Sequence, residues 1–225
     1  MTDKTIGTTG SDAGVPRVLI INGSPHKAGC TATALGQVAA ELEAAGVATE
    51  TVWVGNKVQG GCMGCGFCAK AGRCVKDDVV NELLPKFEAA DGLVVGTAVH
   101  YASASGSVTG VLDRLFYASG FDKRFKCGAA VVSCRRGGAS ATFDQLNKYF
   151  TIAQMPVVSS RYWNSVHGHA PEDVRRDVEG MQTMRMLGRN MAFLVKSIRL
   201  GKAELGLPEL EEPQWTNFMD EHPRD

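Results

Sequence analysis

Residues 18–31 read VLIINGSPHKAGCT. Four consecutive branched apolar residues, 18–21, suit a strand buried on both faces. Asn22, Gly23, Ser24 and Pro25 then break the run with turn chemistry. Leu35, Val38, Ala39, Leu42 and Ala45 follow at spacings of three and four, up to Gly46, as an amphipathic helix with a glycine stop. The stretch is therefore a strand, a tight loop and a helix.

The same unit recurs along the chain. Residues 49–54 read as a second strand, followed by a cysteine-rich loop and a helix over residues 78–90 that Asp78 caps and Pro85 kinks or resets. A third strand is expected over 93–97, a helix over 108–119, a fourth strand over 129–133, a helix over 141–154 and a fifth strand over 156–162. A last helix starts near Pro171 and Glu172. Its apolar stripe runs through Val174, Val178, Met181, Met184, Leu187, Met191, Leu194 and Ile198. Five strands alternating with five helices predict an α/β fold, a doubly wound parallel sheet covered on both faces. The common order is 2-1-3-4-5, with the ligand crevice where the order reverses between strands 1 and 3. Residues 1–16 are polar and glycine-rich and read as a disordered arm, and residues 201–225 as an acidic tail in which Trp215 and Phe218 are candidate anchors.

Composition narrows the function. Lys plus Arg and Asp plus Glu number 24 each among 225 residues. That balance gives no electrostatic reason for nucleic acid or an anionic membrane as partner. No apolar run approaches the roughly 18 residues that span a bilayer, and the N-terminus has no apolar core to serve as a signal peptide. The cytoplasm is the expected compartment, where clustered cysteines point to metal or redox chemistry rather than structural disulfides.

Such a cluster is present. Residues 61–78, GCMGCGFCAKAGRCVKDD, place Cys62, Cys65, Cys68 and Cys74 in a C-x2-C-x2-C-x5-C array. Four thiols within thirteen residues either bind a metal or oxidise one another. Two gaps of two with a fourth cysteine nearby suit the corners of an iron–sulfur cluster. The last gap is five rather than the three of the bacterial ferredoxin run, and Val75 stands where that run has proline. Structural zinc fits less well, because four-thiolate zinc sites usually join two C-x2-C pairs across a longer spacer. Free or reversibly bridged thiols are the plain alternative.

The loop after the first strand offers a phosphate the backbone of Gly23 and Gly29, the hydroxyls of Ser24 and Thr31, and the positive end of the following helix. It has neither the G-x-G-x-x-G of dinucleotide folds nor the G-K-[ST] of nucleotide hydrolases. The run does resemble the phosphate loop of the flavodoxin-like NADPH-dependent FMN reductase family, G-S-P-R-x-x-G-N-T. Residues 96–106, GTAVHYASASG, followed by Asp113-Arg114, are similar to that family's second flavin loop, S-P-V-Y-x-x-x-x-S-G with a later D-R. The placement and spacing of the cysteines match the iron–sulfur flavoproteins of the same superfamily, as does the D-x-E-G…R-x-L-G run over residues 177–188.

The resemblance covers residues 17–198 and implies a flavodoxin-like, FMN-binding domain over 17–200. It implies that Ser24, His26, Cys30 and Thr31 lie at the FMN phosphate, and that Ala98, Val99, His100, Tyr101 and Ser103 line the isoalloxazine. Ser133, Arg135 (or Arg136), Gly137 and Gly138 then approach its pyrimidine edge. Here Cys30 replaces the family asparagine, Ala98 a proline and His100 a tyrosine. The activity implied is electron transfer from NAD(P)H through FMN to a quinone, flavin or other small acceptor, with no catalytic acid or nucleophile required. A rival is an electron carrier, in which a [4Fe–4S] cluster on the four cysteines takes electrons from a ferredoxin-like protein. A thiol-based redox sensor is a third. The family also implies a homodimer or homotetramer. Outside the motifs, Cys30, Cys127 and Cys134 read as packing residues, with Cys134 singled out by its place in a flavin loop. His167 and His169 read as solvated rather than metal-binding, and Trp163 as a lid or subunit-contact aromatic.

Overall fold

The structure is a computed structural model that describes residues 14–214 and Thr216. Along the chain it contains β1 (Arg17–Asn22), α1 (Cys30–Ala44), β2 (Ala48–Trp53), α2 (Phe67–Ala71), α3 (Val79–Ala89), β3 (Gly92–His100), β4 (Ser103–Ala104), α4 (Gly106–Ala118), β5 (Cys127–Cys134), α5 (Ala139–Ile152), β6 (Ser165–His167), α6 (Pro171–Arg176) and α7 (Val178–Leu205). Five strands form one parallel sheet in the order β2-β1-β3-β5-β6, which is the expected 2-1-3-4-5. The two-residue β4 adds an antiparallel hairpin to the end of β3.

Alternation along β1 divides the core in two. Leu19 and Ile21 pack with Phe87 of α3, Leu112 and Leu115 of α4, and Leu146 and Phe150 of α5. Val18 and Ile20 pack on the opposite face with Leu35, Val38 and Leu42 of α1 and Met184, Leu187 and Met191 of α7. The period of two in the strand thus assigns each helix to its side of the sheet. The methionines of α7 are core residues, as their spacing predicts. Close approach at these contacts depends on small residues: a Cβ at Gly188 would lie 2.6 Å from Glu41 Cβ, and one at Gly96 would lie 2.6 Å from Leu35.

Several boundaries depart from the sequence expectation. The fifth strand is centred not on 156–162 but on β6. Gly128 N–H donates to Pro156 O and Val158 N–H to Gly128 O, and then the chain leaves the sheet. Ser160 Oγ bonds Tyr162 O and Asn164 Oδ1, and the Tyr162–Trp163 pair stacks outside with both rings exposed. Val132 N–H then recovers the chain through Asn164 O.

The last helix is two helices rather than one. Asp177 lies between them, and its carboxylate accepts from Gly180 N–H at 2.9 Å and from His167 N–H at 2.7 Å. One side chain therefore caps α7 and ties its start to β6. The D-x-E-G pattern is accounted for by that capping. The last helix also runs four residues past Gly201, to Leu205. In α3 Asp78 is the N-cap, accepting from Val80 N–H at 3.1 Å. The helix continues through Pro85, which is exposed. Within the cysteine loop the short α2 had no periodic signal to announce it. Residues 1–13 of the polar arm, together with Trp215 and Phe218, lie outside the described residues. Among the described residues no helix is long and apolar enough to cross a membrane.

At Gly128 on β5 an added Cβ would fall 2.5 Å from Phe150 Cγ. Gly128→Ala is expected to destabilise the protein by about 1–3 kcal/mol, the usual cost of overpacking a filled core. A lowered urea midpoint at unchanged slope is the measurement that checks it.

Candidate functional site

The crossover between β1 and β3 leaves a cleft of about 230 Å³ at the carboxyl end of the sheet. Its lining includes Ser24, His26, Cys30, Thr31, Ala98, Val99, His100, Ser133 and Arg135, nine of the thirteen residues expected at a flavin. The β1–α1 loop is held from within. Asn22 Oδ1 accepts from Ser24 N–H, Asn22 Nδ2 donates to Lys27 O, and Ser24 Oγ accepts from His26 N–H. It is also tied to β3 and to the start of α4. Gly23 N–H donates to Gly96 O at 2.8 Å, and Ser105 Oγ donates to Gly23 O at 2.8 Å. Only glycine fits at position 23, because a Cβ there would meet Val108 at 2.5 Å.

The helix beyond this loop starts at Gly29 with no side-chain cap and no acidic residue in its first turn. Its first-turn N–H groups and positive dipole end stand at the cleft, which suits a phosphate. Thr31 and Ser133 are buried and share a 2.7 Å hydrogen bond, joining α1 to β5 beneath the cleft. Cys30 Sγ lies 3.8 Å from Gly168 O.

Four expected residues do not line this cleft. Tyr101 is fully exposed and Ser103 is turned away, donating to Gln145 Oε1 at 2.9 Å. Tyr101 and Ala102 form the tip of the β3–β4 hairpin with φ of 50° and 58°. Both central residues of this two-residue turn are thus left-handed without being glycine, a strained arrangement that the surroundings must enforce. Gly138, with φ of 86°, backs the tip: a Cβ there would stand 2.7 Å from Ala102 Cα. Gly137, beside it, is exposed. Cys134, singled out by its place in the loop, lines the cleft too, and Gly168, His169 and Pro171 line it without having been assigned to it. The segment after β6 reaches it because Gly168 N–H donates to Cys134 O. The glycine between two histidines was the one trace of this in the sequence: a Cβ at Gly168 would crowd Asp173 and Val174. Burial raises the thiol pKa of Cys134 and pushes that of Cys127 up to about 12, which keeps both as neutral packing groups.

In the loop between β2 and α3, Cys62, Cys65, Cys68 and Cys74 line one small recess together with Met63, Val75, Arg114 and Tyr117. All four thiols are free of disulfides. Gly64, Gly66 and Gly72 have φ between 63° and 67°, turns that let a short loop bring four cysteines round one space. Among the described residues no three Cys, His, Asp or Glu side chains converge on a single metal ion.

Arg114 anchors this loop. Its side chain is buried, and all five guanidinium N–H groups are used. Nη1 donates to Asp78 Oδ2 at 2.7 Å and Gly60 O at 3.3 Å, Nη2 to Asp78 Oδ1 at 2.8 Å and Lys76 O at 3.1 Å, and Nε to Cys74 Sγ at 3.1 Å. Asn81 adds a second clamp, accepting from Cys74 N–H at 2.9 Å and donating to Cys74 O at 3.1 Å. The D-R pair thus splits: Arg114 serves the cysteine loop, and Asp113 accepts from Tyr149 on α5.

A parallel five-stranded sheet with its cleft at the β1/β3 switch point is the flavodoxin-like arrangement. The chain belongs to the NADPH-dependent FMN reductase family, whose sequence profile matches residues 16–170, and it is accordingly a flavin-dependent oxidoreductase. An iron–sulfur flavoprotein of Methanocaldococcus jannaschii is 32% identical over 191 residues, covering 81% of this chain and 99% of that protein. Another, from Methanosarcina thermophila, is 28% identical over 184 residues, 80% and 95% of the two chains. RosB with a bound 8-demethyl-8-formylriboflavin-5'-phosphate superposes with a TM-score of 0.64 at 14% identity, over 89% of this chain and 91% of that one. The NAD(P)H:quinone oxidoreductase of Methanothermobacter marburgensis gives 0.62 at 16% identity, over 79% and 100%. At these identities the structural likeness establishes the fold.

Burial acts to raise the pKa of Asp78, but the bonds from Arg114 and from the Gln59 and Val80 N–H groups outweigh it and hold the carboxyl below its ordinary range. A depressed carboxyl contributes stability above its unfolded pKa of about 3.9 and loses it as pH falls through the folded value. Asp78→Ala strands a buried guanidinium and is expected to cost about 3–5 kcal/mol. Urea midpoints measured from pH 7 down to pH 3 should fall for the parent protein at the acid end and vary less for the variant.

Proposed function

We propose that this protein is an electron-transferring iron–sulfur flavoprotein, with FMN in the β1/β3 cleft and a [4Fe–4S] cluster on Cys62, Cys65, Cys68 and Cys74. The observation that carries the reading is the drawing of four free cysteines round one recess by glycine turns and a fully engaged arginine. A cubane spreads its four thiolates over separate corners, so convergence on a single ion is not required of them. Bound FMN and cluster supply the redox chemistry between them, and the protein supplies position and electrostatics.

In the cleft, Ser24, His26 and the first-turn N–H groups of α1 hold the phosphate, and the Thr31–Ser133 pair fixes the floor beneath it. Cys30 sits at the mouth of that turn. Ala98, Val99 and His100 wall the ring system, while Arg135 and the backbone leading to Gly137 and Gly138 present positive charge to its polar edge. Tyr101 and Ser103 act through the hairpin they build rather than by contact. No side chain is assigned as a catalytic acid or base. The donor is a ferredoxin-like protein that meets the exposed cysteine loop, and the acceptor is a small molecule at the open cleft. A second copy, in a homodimer or homotetramer, is the proposed cover for Tyr101 at the cleft's edge. NAD(P)H as the donor is the second reading, favoured by the family to which the chain belongs.

The anaerobically purified or reconstituted protein is expected to hold one FMN with about four iron and four acid-labile sulfide per chain. Its flavin should bleach with a reduced ferredoxin and not with NADPH alone. Bleaching by NADPH alone would move the nicotinamide reading to first place. Flavin without iron after reconstitution leaves the loop to thiol chemistry and removes the electron-carrier reading. Absence of flavin under both conditions sinks both.

A further inference from the structure

We infer that Arg114 is a positioning residue for redox chemistry at Cys74: it fixes the shape of the cysteine loop and sets the reduction potential of the group that loop holds. The inference rests on the cluster reading above and concerns a residue that touches neither the flavin cleft nor a substrate.

The argument starts from burial. Arg114 is the largest fully buried side chain of the domain, at 2% exposure, and it sits on α4, an element of the apolar core. A cation there needs both charge and hydrogen-bond compensation. Asp78 neutralises the charge through a bidentate pair, with side-chain exposures of 1% and 4% for the two partners. The ion pair leaves three N–H groups that need acceptors, and any nearby carbonyls could supply them, yet it is the cysteine loop that they meet. They reach Gly60 O, Lys76 O and Cys74 Sγ, which bracket the array at its two ends and at its fourth thiol. Gly110, one turn earlier on α4, brings the helix against the loop, since a Cβ there would lie 3.3 Å from Gly61 Cα.

The Nε–H to Sγ contact has a direct electrostatic consequence. A charge-assisted N–H donated to a cysteine sulfur favours the more electron-rich state of whatever that sulfur ligates, because negative charge on the sulfur grows when an electron is added. Hydrogen bonds to ligand sulfurs are among the factors that set cluster potentials. Arg114 therefore shifts the one-electron couple upward and makes the cluster easier to reduce. Lysine keeps the positive charge but has three donors on a flexible stem and cannot reproduce the planar five-donor pattern.

The test uses the full-length protein, reconstituted anaerobically with flavin, iron and sulfide, and two readouts independent of turnover. In an EPR-monitored redox titration, Arg114→Lys should lower the cluster midpoint. A shift of about tenfold in the oxidised-to-reduced ratio corresponds to ~59 mV for one electron. The FMN midpoint should stay where it was, since the cleft and the recess share no lining residue. The second readout needs no variant. Parent protein labelled with [15N]arginine should show a nitrogen hyperfine coupling to the reduced cluster in pulsed EPR, as a through-hydrogen-bond contact requires. A parent protein that takes up no iron overturns the cluster reading and this inference with it. A parent protein with its cluster intact but no arginine coupling overturns the inference alone, as does an unchanged cluster midpoint in Arg114→Lys.

Discussion

The Arg114–Asp78 pair is the constraint from which the arrangement of the two candidate sites follows. Asp78 has two duties: it caps α3 through Val80 N–H and it binds a guanidinium brought by α4. The start of one helix and the middle of another are thereby fixed to each other, with the cysteine loop strung between them. A neutral pair of similar shape would fill the same space. It would not have left three further donors to arrest the backbone at Gly60 and Lys76 and the thiol of Cys74.

Helix α4 also belongs to the cleft. Ser105, its N-cap residue, donates its hydroxyl to Gly23 O in the β1–α1 loop, and Val108 fills the space that glycine leaves open. Ser105 and Arg114 are nine residues apart, ~14 Å along a helix axis. One rigid element thus sets the geometry of both the cleft and the cysteine recess. Any displacement of α4 is felt at each, and packing of its Leu112 and Leu115 in the cluster with Phe87 keeps that displacement small.

Much of this was legible in the residues alone. The continuous apolar run of β1 and the three- and four-residue spacing of α1 and α7 gave a sheet covered on both faces, and the alternation of strands with helices pointed to the common doubly wound order. The cleft was legible for the same reason: loops at a switch point are where glycine and hydroxyl residues must appear, and Ser24, Thr31 and Ser133 stand there. What escaped depended on contacts between distant parts. Nothing in Asp177 announces that it breaks a continuous apolar stripe: besides capping α7 through Gly180 N–H it is held by His167 N–H on a strand ten residues earlier. Tyr101 and Ser103 share a motif with His100, yet a two-residue hairpin turns them out of the cleft. Arg114 looked like part of a flavin motif because its neighbour in sequence, Asp113, and the loop before it point that way. Its side chain crosses instead to a loop about 40 residues earlier.

The four thiols of the loop are not equivalent. Cys68 and Cys74 pack against the apolar core, and Cys74 is clamped by Arg114 and Asn81, whereas Cys62 and Cys65 are exposed on turns of the loop. An oxidant or an alkylating reagent therefore meets the outer pair first. Chemical injury to such a loop is graded: its outer half can be modified while the inner half stays attached to the folded body.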